Sequence, residues 1–128
     1  MLRSFTFMYR LAESGQTQAL LEHLAELLAE NSEDKDPPNL ALIVAAESNQ
    51  IETARALLNA GANVEGASVR SHIRPLWKAA KRGHVEMVKL LVGHGADPAA
   101  TDNRGLTALD YARRYSRANV AAYLESLR

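Results

Sequence analysis

Cysteine is absent from the 128-residue chain, so disulfides and thiolate metal sites are excluded and a reducing compartment suits it. Aromatic residues are scarce, with a single tryptophan, Trp77, and two phenylalanines. No apolar run approaches the roughly 18 residues that a membrane-spanning helix needs. The N-terminal stretch Met1 to Tyr9 is only briefly apolar and has no small-residue cleavage site, so a secretory signal is not expected. The nucleophile-elbow, phosphate-loop, dinucleotide-binding and zinc-protease patterns are all missing. Net charge is zero as well, but the balance hides an asymmetry. Residues 1–66 hold four Lys and Arg against ten Asp and Glu, whereas residues 67–128 hold eleven against five.

What the chain does have is a period. Leu42, Ala45, Ala46, Glu52, Gly61 and Ala62 return 34 positions later as Leu76, Ala79, Ala80, Glu86, Gly95 and Ala96. Ala46-Glu47-Ser48-Asn49-Gln50 echoes Ala12-Glu13-Ser14-Gly15-Gln16, and Leu76, Ala79 and Leu91 return 33 positions later as Leu109, Ala112 and Leu124. A fixed period of this length marks stacked supersecondary units that cannot bury their apolar faces alone. In an elongated stack, sequence order becomes spatial order, so one end should be acidic and the other basic.

The unit Arg74 to Pro98 is the clearest. Pro75 suits the first helical position, and Leu76, Ala79 and Ala80 form an apolar stripe. Gly83 stops that helix, Val85, Val88, Leu91 and Val92 build a second, and Gly95 stops it in turn. Paired Ala45-Ala46 and Ala79-Ala80 let neighbouring helices approach closely. Thr107 with Asp110 three residues on predicts a capping box. In the first unit a longer helix carries Leu20, Leu21, Leu24, Leu27 and Leu28; the acidic stretch Glu30 to Asp36 and Pro37-Pro38 are expected to end it. The last helix is expected over Val120 to Leu127, with a wettable outer face.

These residues resemble the ankyrin repeat. The likeness is carried by Thr107-Ala108-Leu109-Asp110-x-Ala112, by Arg74-Pro75-Leu76-Trp77-Lys78-Ala79-Ala80, by Gly83-His84, and by Leu90-Leu91-x-x-His94-Gly95-Ala96-Asp97. Asp102 to Thr107 is similar to the family's hairpin sequence. The resemblance implies an all-α solenoid of antiparallel helix pairs joined by hairpin-like loops. One domain of four repeats is expected, near 5–36, 37–68, 69–101 and 102–128, the first and last acting as caps.

The third hairpin departs from the pattern. Val69-Arg70-Ser71-His72-Ile73-Arg74 stands where Asp-x-x-Gly-x-Thr is expected, and the loop is one residue longer than its successor. Losing turn and cap residues costs on the order of 1 kcal/mol each, so a fingertip reshaped for a partner is the reading taken, against drift in a tolerant loop.

The resemblance further implies binding through hairpin tips and the inner-helix face. By position, the third repeat offers Arg70, Ser71, His72, Ile73, Arg74, Trp77, Lys78, Lys81 and Arg82. The fourth offers Asn103, Arg104, Leu106, Asp110, Arg114 and Tyr115. The earlier repeats offer Arg3, Phe5, Tyr9, Glu13, Ser14, Asp36, Asn39, Glu47 and Ser48. Trp77 and Tyr115 are the expected aromatic anchors. The expectation is a non-catalytic, cytoplasmic, monomeric protein-binding module with an acidic partner, no cofactor, no metal and no membrane contact. Nucleic acid and small molecules are not the expected ligands. The alternatives are self-association of acidic and basic ends, nucleic-acid binding by the basic half, and a Ser68/His72 hydrolase, for which no orienting acid is evident. His84 and His94, beside glycine turns, are expected to make local hydrogen bonds, and His23 to be a partly exposed helix residue.

Overall fold

The computed structural model describes residues 2–30, 36–66 and 72–128, with side chains from Thr6 onward in the first stretch. The described residues form eight helices and no strand: α1 (Leu2–Ser14), α2 (Thr17–Glu30), α3 (Asp36–Glu47), α4 (Ile51–Asn59), α5 (Pro75–Arg82), α6 (Val85–Gly93), α7 (Ala108–Arg114) and α8 (Ala118–Ser126). They stack as four pairs. The odd-numbered helices pack on one another in order as an inner layer, and the even-numbered helices follow as an outer layer. None of them is long and apolar enough to cross a membrane.

Small residues make the stacking close. Ala12, Ala45, Ala46, Ala79, Ala80 and Ala112 are fully buried, while Leu20, Leu42, Leu57, Leu76, Met87 and Leu91 fill the space between layers. The core runs continuously along the stack instead of closing around one centre. At the first pair, Phe7 stands in the register of the buried Ala41, Pro75 and Ala108, yet it is exposed. Its ring meets the edge of the half-buried His23 on α2, with centroids 5.0 Å apart.

Each inner helix ends in a left-handed residue. Gly15, Asn49, Gly83 and Ser116 occupy the same register, with φ of 74°, 57°, 79° and 58°. Two of the four are therefore side-chain-bearing residues in a region that costs roughly 1–2 kcal/mol for most L-residues, least for Asn. The turn brings the next residue, the N-cap of the outer helix, back toward the preceding pair. Gln50 Nε2 donates to Glu13 O, His84 Nε2 contacts Glu47 O and Arg117 Nε donates to Lys81 O, each at 2.9 Å. None of these three N-cap side chains caps its own helix. Each instead satisfies a carbonyl at the end of the inner helix one pair earlier, where the helix's own bonds run out. The glycines make room: a Cβ at Gly83 would lie 2.8 Å from Arg117 Cδ, and one at Gly15 would lie 2.4 Å from Gln50 Oε1.

The helix starts follow local chemistry. Pro75 sits in the first turn of α5, where Arg74 supplies no side-chain cap. Thr107 and Asp110 form the full capping box on α7, with Thr107 N donating to Asp110 Oδ2 at 2.9 Å and Asp110 N to Thr107 Oγ1 at 3.2 Å. The bond from the Thr107 amide holds the Asp110 carboxyl below its ordinary range, and the Thr107 side chain adds to it. Pro37 and Pro38 differ from expectation. They lie within the first turn of α3, which begins at Asp36, rather than closing the preceding helix. Prolines there lose no hydrogen bond, because first-turn amides have no partner within the helix. α8 begins at Ala118, two residues before Val120, because Arg117 is its N-cap.

Candidate functional site

A groove of about 760 Å3 opens between the hairpin loops and the inner helices of the third and fourth pairs. Ile73, Arg74, Trp77, Lys78 and Lys81 form one side, with His72 at the rim. Asn103, Arg104, Tyr111 and Tyr115 form the other, with Thr101 and Asp102 between. Nine of the fifteen candidate residues thus meet at one place: His72, Ile73, Arg74, Trp77, Lys78, Lys81, Asn103, Arg104 and Tyr115. Arg70 and Ser71 lie outside the described residues, as does Ser68. Arg82, Leu106, Asp110 and Arg114 are not among the groove-lining residues. Asp110 is committed to the α7 cap and the Leu106 amide to Asp102 Oδ1.

The loop that carries Asn103 and Arg104 is built on Asp102. Asp102 N donates to Leu106 O at 3.0 Å, and Gly105 N returns to Asp102 O at 3.0 Å. The Asp102 carboxylate accepts from the amides of Arg104 and Leu106 and from the Tyr111 hydroxyl. The Tyr111 hydroxyl and then the Leu106 amide hold its carboxyl below the usual range. Arg104 Nη2 reaches the same Tyr111 hydroxyl at 3.2 Å, so loop and α7 are locked together. Gly105, at φ 78°, supplies the turn conformation that a side chain resists.

Trp77 is half-buried against the core. Its Nε1 donates to Ala100 O at 3.4 Å, and the Arg74 guanidinium lies 5.7 Å from its ring. It therefore serves packing and groove wall together. Arg74 also pairs with Glu65, Nη1 to Oε1 at 3.0 Å, an ionic contact without hydrogen-bond alignment. The other carboxylate oxygen of Glu65 accepts from Asp97 N at 2.9 Å and so ties two successive loops.

The basic character of this half is more compensated than a residue count implies. Glu47 on α3 receives Lys78 Nζ at 3.3 Å and Arg82 Nη2 at 3.2 Å. Partial burial pushes the Glu47 carboxyl up, but Lys78 and then Arg82 outweigh it and hold it below its ordinary value of 4.5. Lys81 is different. No carboxylate among the described residues pairs with it, and its ammonium lies 5.2 Å from the centroid of the exposed Tyr115 ring.

His94 makes the expected local contact, through Nδ1 to Leu90 O at 3.0 Å, whereas His84 reaches beyond its own unit to Glu47 O. The sequence reading missed Tyr111, Asp102 and Glu65 as groove residues. Tyr111 was within reach, because it lies one period after Lys78.

Comparison with known family models matches residues of the second, third and fourth pairs. Residues 76–125 match the family described as "Ankyrin repeats (many copies)", and residues 39–68 match "Ankyrin repeat".

The chain belongs to the ankyrin-repeat family.

It is 42% identical over 89 residues to the putative E3 ubiquitin-protein ligase XBAT34 of Arabidopsis thaliana, covering 66% of this chain and 23% of that protein. It is 39% identical over 70 residues to ankyrin repeat domain-containing protein 49 of Bos taurus, covering 55% of this chain and 29% of that protein. It is 36% identical over 77 residues to the human ARF GTPase-activating protein GIT1, covering 60% of this chain and 10% of that protein. The chain thus spans less than a third of the length of these relatives. As an ankyrin-repeat solenoid, it has the architecture of a protein–protein interaction module.

Proposed function

We propose that the chain is a non-catalytic recognition module that holds a protein partner in the groove between the third and fourth pairs. The observation that carries this reading is the convergence there of Trp77, Tyr111, Tyr115 and Ile73, flanked by Arg74, Lys78, Lys81 and Arg104. Aromatic and arginine side chains of this kind anchor protein interfaces, and a preformed groove spends little entropy on ordering. The relatives lend support, since a protein named as a putative ubiquitin ligase and one named as a GTPase-activating protein each share a stretch of this chain's sequence. Different activities in the relatives favour recognition as the common task of the stretch. The cysteine-free composition suits work in the cytoplasm, and a monomer suffices because the groove lies within one chain.

The same composition makes the test clean. Ile73→Cys places the chain's sole thiol at the groove rim, on a residue that is exposed. Carrying a photo-crosslinker there, the protein should capture partners from its native cell that the same label at Ala122→Cys, on outer helix α8, does not. Equal capture from both positions, with both variants folded, overturns the assignment of the face.

A further inference from the structure

The inner layer repeats one position along the stack, and its chemistry changes from pair to pair. Glu47 and Lys81 are related by the 34-residue period, and Lys78 and Arg82 are related by 33 residues to Tyr111 and Tyr115. Between α3 and α5, an acid therefore faces two bases and both are satisfied. Between α5 and α7, a base faces two tyrosines, with the Tyr115 ring holding the ammonium in place. Arg74 is engaged by Glu65, and Arg104 lies 4.0 Å from the Asp102 carboxylate. A ligand that takes Arg74, Lys78 or Arg104 must compete with a carboxylate already present. A ligand that takes Lys81 breaks no ion pair among the described residues.

Resting on the groove assigned above, we infer that Lys81 is the charge anchor of the site and that its occupant is an extended acidic peptide segment carrying an aromatic side chain. The acidic residue meets the Lys81 ammonium, a charge-assisted contact strengthened by the partly dry surroundings. The aromatic side chain lies in the trough between Trp77 and Tyr115. Two further features favour a peptide over a lone anion. The groove, at about 760 Å3, is far larger than one carboxylate-bearing side chain and falls in the range of ligand clefts. Its walls also carry uncharged polar groups, Thr101 and Asn103, suited to the donors and acceptors of a peptide backbone.

The test uses a glutamate-rich random copolymer containing tyrosine as probe, with Trp77 as the sole intrinsic tryptophan reporter. The copolymer should bind the full chain, shift Trp77 emission and lose affinity as salt rises. Lys81→Met should weaken binding by about tenfold or more. Tyr115→Leu should weaken it less, since the ammonium remains. Lys89→Met is the matched control: Lys89 sits 5.7 Å from the Tyr123 ring, the same pair of residue types on the outer helices. It should leave affinity within about twofold. Thermal melts of each variant separate lost binding from lost fold. Full affinity in a folded Lys81→Met chain overturns the anchor while leaving the groove intact, which the crosslink from residue 73 reports separately. Failure of the copolymer to bind, binding that leaves Trp77 emission unmoved, or preference for a lysine–tyrosine copolymer overturns the acidic peptide.

Discussion

Two junctions of the same stack, α3 on α5 and α5 on α7, share a backbone plan and differ in what covers it. Both are closed by an N-cap side chain reaching back to a helix-end carbonyl, through His84 in one and Arg117 in the other, at the same 2.9 Å. Both bury paired alanines. On the inner surface they diverge: the first junction is sealed by Glu47 with Lys78 and Arg82, and the second leaves the Lys81 ammonium beside the Tyr115 ring with no carboxylate partner among the described residues. Because backbone bonds and alanines set the stacking, the inner position is free to vary. One junction uses it for cohesion, and the other leaves a charge available.

The comparison breaks most sharply at Glu47. Glu47→Lys places a third cation beside Lys78 and Arg82 and should cost about 1 kcal/mol at low salt. The register-matched Lys81→Met should cost less than about 0.5 kcal/mol. Urea melts at low and high salt check this, with the Glu47→Lys deficit shrinking as salt rises. Equal costs would mean that the two junctions do not differ in cohesion.

The left-handed positions sharpen the comparison next. Ser116→Gly should raise stability by about 0.5 kcal/mol, because glycine accepts φ 58° without the Cβ penalty. Asn49→Gly should change little, since asparagine tolerates that region better. Melting temperatures of the two variants give the ranking.

Acid gives the smallest effect. The Glu47 carboxyl is held below 4.5 in the folded chain, so its pairing contributes fully above that value and is lost as pH falls through the lowered folded value. Glu47→Gln should flatten this part of the acid-unfolding profile measured by circular dichroism. The residual slope belongs to groups such as Asp102 and Asp110, whose carboxyls are lowered by hydrogen bonds.

Much of this was legible in the sequence, because a repeat states its register in residue types. The period located Leu76, Ala79 and Ala80, and the turn residues Gly83 and Gly95 stood where helices stop. The capping box was readable because its two residues are three apart. The ionic compensation was not, since Lys78 and Arg82 lie 31 and 35 residues from Glu47 and meet it only once the pairs are stacked. Counting charges by halves predicted a basic surface, whereas contacts between pairs engage Arg74, Lys78 and Arg82. Pro37 and Pro38 misled for a local reason: proline marks a helix start as readily as a stop, and only α3 itself shows which.

The reach-back from each N-cap has a consequence for how such chains can change over time. The acceptor is always a main-chain oxygen, and the donor has been glutamine, histidine or arginine, so the joint asks for reach and a proton, not for one particular amino acid. A unit copied, deleted or moved along the gene therefore arrives with a working latch for whatever neighbour it meets, leaving selection to act on the face that meets the outside world.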